Sequence, residues 1–186
     1  MTYHTTTLSS CKEEQTSDYL STWFQILGGS LFIALCAQIK VPLFFSPIPL
    51  SLQTLAVMLV AGFLGRSKGS LAVMAYLAQM SMGLPVGVGG AIAPLALIGA
   101  SGGYLVGFVM QAYLVGLCAD NRHRMGNLAF FAALSVISMM QLGLGTLWLG
   151  ASVGMQNALF MGFLPFVAGE LLKVAAAAPL IAKWRS

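Results

Sequence analysis

Of the chain's nine basic and five acidic residues, two lie well inside apolar sequence: Glu170 and Lys173, in the stretch FVAGELLKVAAAAPLIA. A charge at the centre of a membrane helix costs about 2.5–3.5 kcal/mol on insertion scales. Two unpaired charges would cost roughly 5–7 kcal/mol, comparable with the stability of a whole domain. They must be compensated. At spacing i, i+3 they share a helix face and can pair. As ligand-recognition groups, the ammonium would meet a carboxylate and the carboxylate would accept N–H donors. The plainer alternative is a self-satisfied ion pair that only packs its helix. Ionisable residues inside membranes are functional by default, which favours the first reading. Proton coupling through Glu170 is a third reading, but no chain of ionisable partners is visible to relay the proton.

Uncharged polar residues can complete such a site. Gln53 and Thr54 open one apolar segment, and Ser101 and Tyr104 lie near the start of another. Gln79, Gln111, Gln141 and Gln156 are further candidates, although an interhelical hydrogen bond is the commoner role for a single glutamine in a membrane. There is no GxxxxGK[ST], no HExxH and no nucleophile beside a base. The inventory fits a binder that needs no cofactor, not an enzyme, and active transport would need an energy-supplying partner. Cys11, Cys36 and Cys118 show no paired spacing, and His4 and His123 stand apart, so no metal site is expected. The net charge of +4 comes from residues at segment ends and forms no continuous basic face, which argues against nucleic acid.

These side chains must be positioned by membrane helices. The chain has 186 residues, 58% hydrophobic and 8% charged, against about 25% charged in soluble domains. Six apolar segments are expected, in an all-α polytopic bundle: about Trp23–Ile39, Leu50–Leu64, Ser70–Met82, Ile98–Ala119, Leu128–Leu149 and Ala158–Ala182. The second and third are short of the ~20 residues that cross a ~30 Å hydrocarbon core. Residues 1–22 form a polar tail, expected to be cytoplasmic and mostly disordered, and residues 23–186 the transmembrane domain. The start does not read as a cleavable signal.

The connections carry information too. Residues 40–49 hold three prolines and read as extended or turning. Residues 83–97, GLPVGVGGAIAPLAL, are apolar yet hold four glycines and two prolines. Irregular backbone at membrane depth needs protein or a wet cavity around it, so this loop is expected to fold over the bundle as a lid. The glycines of GASGGYLVG (residues 99–107) allow close approach of a helix or ligand. Ser30-x-x-x-Ala34, followed by Ala37, is a small-residue stripe suited equally to packing within the chain and to a partner subunit. Arg66, Lys68, Arg122, Arg124, Lys183 and Arg185 fall on one side and only Lys40 on the other, which puts both termini in the cytoplasm and the lid outside.

The run AQIKVPLFFSPIPLSLQTLAVMLVAGFLG resembles the opening of the BioY family, the biotin-specific S components of energy-coupling factor (ECF) transporters. GSLAVMAYLAQMSMGLPVGVGG, GASGGYLVGF and FLPFVAGELLKV are similar to its later motifs, in order, over about residues 31–180. The resemblance implies a six-helix S-component bundle in the bacterial cytoplasmic membrane. It implies a biotin pocket near the outer surface, closed by the loops after the first and third helices. It also implies partnership with a transmembrane coupling subunit and two ATPases. Carried over, Lys173 would be the partner of the biotin carboxylate or a polar pocket group, and Glu170 would accept from a ureido N–H. Gln53, Ser101, Tyr104 and the backbone at Gly89 and Gly90 would be contacts. The chain departs from the family pattern at Glu170, where Asp is usual, at Val86-Gly87 for Val-Phe, and at Ala91, Ile92 and Ala100. An S component for another small vitamin or precursor is the alternative.

Overall fold

The computed structural model describes residues 3–41, 49–92 and 94–185, with side chains described from Tyr19 onward. The main helices are α1 (Tyr3–Ala37), α2 (Gln53–Ser81), α3 (Gly102–Asp120) and α4 (Asn127–Val153). A short α5 (Met155–Ala158) and a π-helical turn (Leu159–Phe163) lead into α6 (Leu164–Trp184). A two-residue antiparallel ladder, β1 (Lys40–Val41) with β2 (Leu50–Ser51), is the one departure from an all-helical fold among the described residues. It closes the proline-rich connection, of which residues 42–48 lie outside the described residues.

Among the described residues, five helical stretches are long and apolar enough to cross a membrane. The second and third expected segments both fall on α2, which breaks at Gly65 (φ 80°, ψ 179°). In a straight helix, Gln53 and Tyr76 would stand about 34 Å apart. Their side chains instead meet at 3.0 Å, and a Cβ on Gly69 would lie 2.7 Å from Ala61 Cα. The two arms of α2, 53–64 and 66–81, therefore lie side by side, reversed at Gly65. A positive φ is open to glycine at little cost, so a single residue makes the turn where a longer loop was expected. The arms are about 18 and 24 Å long.

The reversal leaves orphan backbone groups at both arm ends. Asp120 Oδ2 accepts the Arg66 N–H (3.1 Å), and Arg185 donates to the carbonyls of Gly62 (2.9 Å) and Phe63 (3.2 Å). Asp120 and Arg185 also pair with each other at 3.4 Å. The ends of α3 and α6 thus clamp the turn of α2 at one end of the bundle.

The N-terminal tail differs from expectation. Its backbone is helical from Tyr3 and runs unbroken into the first span. No glycine or proline occurs between Tyr3 and Leu27, so nothing in the sequence stops the helix. Before α6, Pro165 supplies no N–H to the carbonyl four residues back, and the chain widens into the π turn.

Helix α2 packs on α1, α3 and α6, and α4 packs on α3 and α6. The result is a ring of α2, α3, α4 and α6 with α1 docked outside it. The inner faces hold a core including Val57, Met58, Tyr76, Phe108 and Leu134. The outer faces expose large apolar side chains such as Phe24, Leu31 and Leu172, as a lipid-facing surface requires.

Candidate functional site

A cavity of about 300 Å³ sits inside the ring, away from the Asp120–Arg185 end. All four ring helices line it: Gln53, Thr54 and Met80 from α2, Tyr104 and Phe108 from α3, Gln141 from α4, and Phe166, Glu170 and Lys173 from α6. Ligand pockets are commonly about 300–1,000 Å³, mostly apolar with a few convergent polar groups. This one has that character.

Helix α6 turns its charges inward and its leucines outward. Glu170 is 2% and Lys173 7% exposed, while Leu172 is 72% exposed. Lys173 Nζ donates to Glu170 Oε1 and to Thr54 Oγ1, both at 2.8 Å, and Thr54 Oγ1 donates to Glu170 Oε1 at 2.7 Å. The triangle fixes the first turn of α2 against α6. It does not exhaust the charged groups. Glu170 Oε2 is buried with no hydrogen-bond partner among the described residues. An ammonium has three N–H groups, and these bonds use two of them. The pair thus keeps one spare acceptor and one spare donor in the wall of the cavity. An unpartnered buried carboxylate oxygen carries a desolvation cost that a ligand donor would remove.

The other expected residues divide. Ser101 lines the cavity at the N-cap of α3. Gln53 lines it as well, but its Nε2 donates to Tyr76 Oη, which donates in turn to the Val86 carbonyl at 2.9 Å. Gln53 thereby ties the start of the glycine-rich loop to both arms of α2. Tyr104 presents its ring to the cavity, while its hydroxyl donates to the Gly162 carbonyl at 2.8 Å and lies 3.3 Å from Thr146 Oγ1. That hydroxyl holds the π turn against α3.

Gly89 and Gly90 do not line the cavity; from that loop Gly87, Val88, Ala91 and Ala96 do. Both glycines have positive φ. Gly89 donates its N–H to the Ala37 carbonyl at 2.9 Å, and a Cβ there would strike the Lys40 side chain. Gly89 thus anchors the loop to the end of α1, while Gly90 donates its N–H to the Gly87 carbonyl within the loop at 2.9 Å, and the loop forms part of the cavity wall. Residue 93 lies outside the described residues.

Ser30, Ala34 and Ala37 are 0%, 5% and 0% exposed within the chain. Gln79 Nε2 donates to Ser30 Oγ at 3.0 Å, and the neighbouring Gly29 lies close to Val60 and Ala72. This stripe packs α1 on α2, so its surface is used inside the molecule. A helix close approach is also found at Gly103, where a Cβ would stand 2.2 Å from Trp148 Cβ.

Sequence reasoning did not single out the apolar wall, including Met80, Phe108 and Phe166. Hydropathy cannot tell a cavity-facing apolar residue from a lipid-facing one. Only the inward direction of Glu170 and Lys173, one turn from Phe166, marks that face of α6.

The fold and site define a polytopic helical membrane protein with an internal cavity of about 300 Å³ and a charged pair at its wall. Residues 8–186 match the BioY family, and the chain belongs to that family, which is one of transporter components and not of enzymes. It is 35% identical over 164 residues to the biotin transporter BioY of Thermotoga maritima, covering 83% of this chain and 91% of that protein. It is 35% identical over 153 residues to a probable biotin transporter BioY of Pyrococcus horikoshii, covering 80% and 88%. The fold matches the S component for biotin from an ECF-type ABC transporter with a TM-score of 0.81 at 23% identity, covering 91% of this chain and 93% of that one.

Proposed function

We propose that the chain is the biotin-capturing S component of an ECF-type transporter in the cytoplasmic membrane. The observation that carries this reading is the buried Glu170 Oε2, without a partner among the described residues, beside Lys173 in the wall of a cavity of about 300 Å³. Membership of the BioY family and relatives named as biotin transporters supply the ligand.

On this reading the two arms of α2 each pass the membrane, giving six passes. Both termini and the Asp120–Arg185 end face the cytoplasm, in keeping with the six basic residues assigned to that side. The cavity opens toward the outside beneath the glycine-rich loop. Ser101 and the ring of Tyr104 contact the ligand, Gln53 supports the wall, and Gly89 and Gly90 hold the cover. Partners are an ECF transmembrane coupling subunit and two ATPases. With Ser30, Ala34 and Ala37 committed to α2, a partner docking on α1 would use its exposed outer face.

On this reading the charged pair takes roles other than those the resemblance implied. Lys173 Nζ is 2.8 Å from Glu170 Oε1, so both groups meet the same end of an extended ligand. Glu170 Oε2 accepts a ureido N–H and the spare Lys173 N–H donates to the ureido carbonyl. The carboxylate tail of biotin then lies away from the pair.

Uptake of radiolabelled biotin tests the function. The chain is produced in a biotin auxotroph, with the coupling subunit and ATPases of its host and in a strain lacking them. Biotin-dependent accumulation that unlabelled biotin abolishes and other vitamins leave intact is the expected result. Accumulation of another vitamin, but not of biotin, would transfer the reading to that ligand.

A further inference from the structure

A second acceptor without a hydrogen-bond partner among the described residues is buried in the wall of the same cavity, on another helix. Gln141 on α4 is 1% exposed and lines the cavity, and its Oε1 is buried without a hydrogen-bond partner. Which end of a glutamine amide is oxygen is normally an assignment. Here chemistry fixes it. The amide's one hydrogen-bond partner among the described residues is the Tyr104 carbonyl, 3.4 Å from Nε2, and a carbonyl accepts only from the NH₂ end. The oxygen is therefore the end left without a partner. The side chain is also held in place, since Gly107 of α3 lies so close that a Cβ would stand 3.1 Å from Gln141 Cγ.

We propose that Gln141 is a specificity-determining residue of the ligand site. Its Oε1 and Glu170 Oε2 form two acceptors on neighbouring walls that select a ligand end bearing two N–H donors. Resting on the biotin reading above, this assigns one acceptor to each ureido N–H, with Lys173 donating to the carbonyl between them. Both acceptors bear a desolvation cost when the cavity lacks donors. A ligand with a single N–H relieves only one of them, so a site built this way discriminates by the missing donor rather than by size.

The test uses the full-length purified protein, titrated with biotin and with the two cyclic-carbamate analogues, in each of which one ureido N–H is replaced by oxygen. Both carbamates are expected to bind at least about tenfold more weakly than biotin, because each loses a hydrogen bond and leaves a buried acceptor unpaired. In Gln141→Met, with folding checked by thermal melting, biotin binding falls by a similar factor. The penalty against one carbamate disappears while that against the other persists.

If one carbamate binds the wild-type protein as tightly as biotin, only Glu170 accepts and the proposal is wrong. That measurement needs no variant. A Gln141→Met variant that weakens all three ligands equally, or none, also overturns it. Failure of the wild-type protein to bind biotin at all is a different result, and it overturns the proposed function instead.

Discussion

Replacing Lys173 by methionine isolates what the charged pair does. The substitution keeps most of the side-chain volume and removes two hydrogen bonds, to Glu170 and Thr54 at 2.8 Å. Glu170, 2% exposed, is left as a buried carboxylate with only the Thr54 hydroxyl to support it. Breaking a buried pair by removing one partner costs about 3–5 kcal/mol. A drop in melting temperature of about 10 °C in detergent follows for a chain of this size. Stability alone, however, does not separate a structural pair from a ligand site. The double variant Glu170→Gln with Lys173→Met does. Removing both charges removes the uncompensated carboxylate, so most of the lost stability returns. Biotin affinity does not return, because the donor to the ligand carbonyl is missing and the amide that replaces the Glu170 carboxylate is a weaker, neutral acceptor. Hydrogen bonds to charged groups contribute about 1.5–3 kcal/mol each, so the double variant is expected to bind at least about 100-fold more weakly than wild type. Calorimetric titration beside thermal melting reads both quantities. A double variant that is stable and binds biotin with wild-type affinity would refute the reasoning and leave the pair a packing device.

Three further outcomes follow from the fold. Gly65→Ala puts a Cβ on a residue at φ 80°, 2.6 Å from Asp120 Oδ1, and is expected to destabilise the protein by roughly 1–3 kcal/mol; a melting temperature equal to wild type would contradict the one-residue reversal. Tyr104→Phe removes the bond to the Gly162 carbonyl and should cost about 1 kcal/mol of stability while leaving biotin affinity within about threefold, since the hydroxyl does not serve the ligand; a loss of binding far exceeding the loss of stability would place that hydroxyl on the ligand. The singles Asp120→Asn and Arg185→Gln should each destabilise, and their double-mutant cycle should show coupling of about 0.5 kcal/mol or more, because both side chains cap arms of α2 at one turn; strictly additive effects would mean that they act independently.

The charged pair was legible because it violates the composition around it. Glu170 and Lys173 stand out against apolar neighbours, and their spacing already put them on one face. The break between the two arms of α2 was legible from the basic residues Arg66 and Lys68 and from the shortness of the flanking segments, although the turn takes one glycine instead of a loop. What the pair touches was less legible. Thr54 could be named as polar and near a helix start, but nothing local says that its hydroxyl bridges a carboxylate and an ammonium on the far side of the chain, at α6. The loop glycines illustrate the same limit. The composition of residues 83–97 led to the expectation of a lid, yet which of its glycines lines the cavity and which ties the loop to its neighbours depends on the end of α1 and on Lys40. The tail went the other way: its polarity suggested disorder, while its lack of glycine and proline left the helix of α1 free to extend through it.

The central claim is that this cavity holds biotin through Glu170 and Lys173. It is tested most directly by titrating the purified chain alone, without coupling partners, with biotin in a calorimeter. Saturable one-to-one binding that is lost in the double variant Glu170→Gln with Lys173→Met is the expected result. Folded wild-type protein that gives no saturable biotin binding, by heat or by competition, would contradict it.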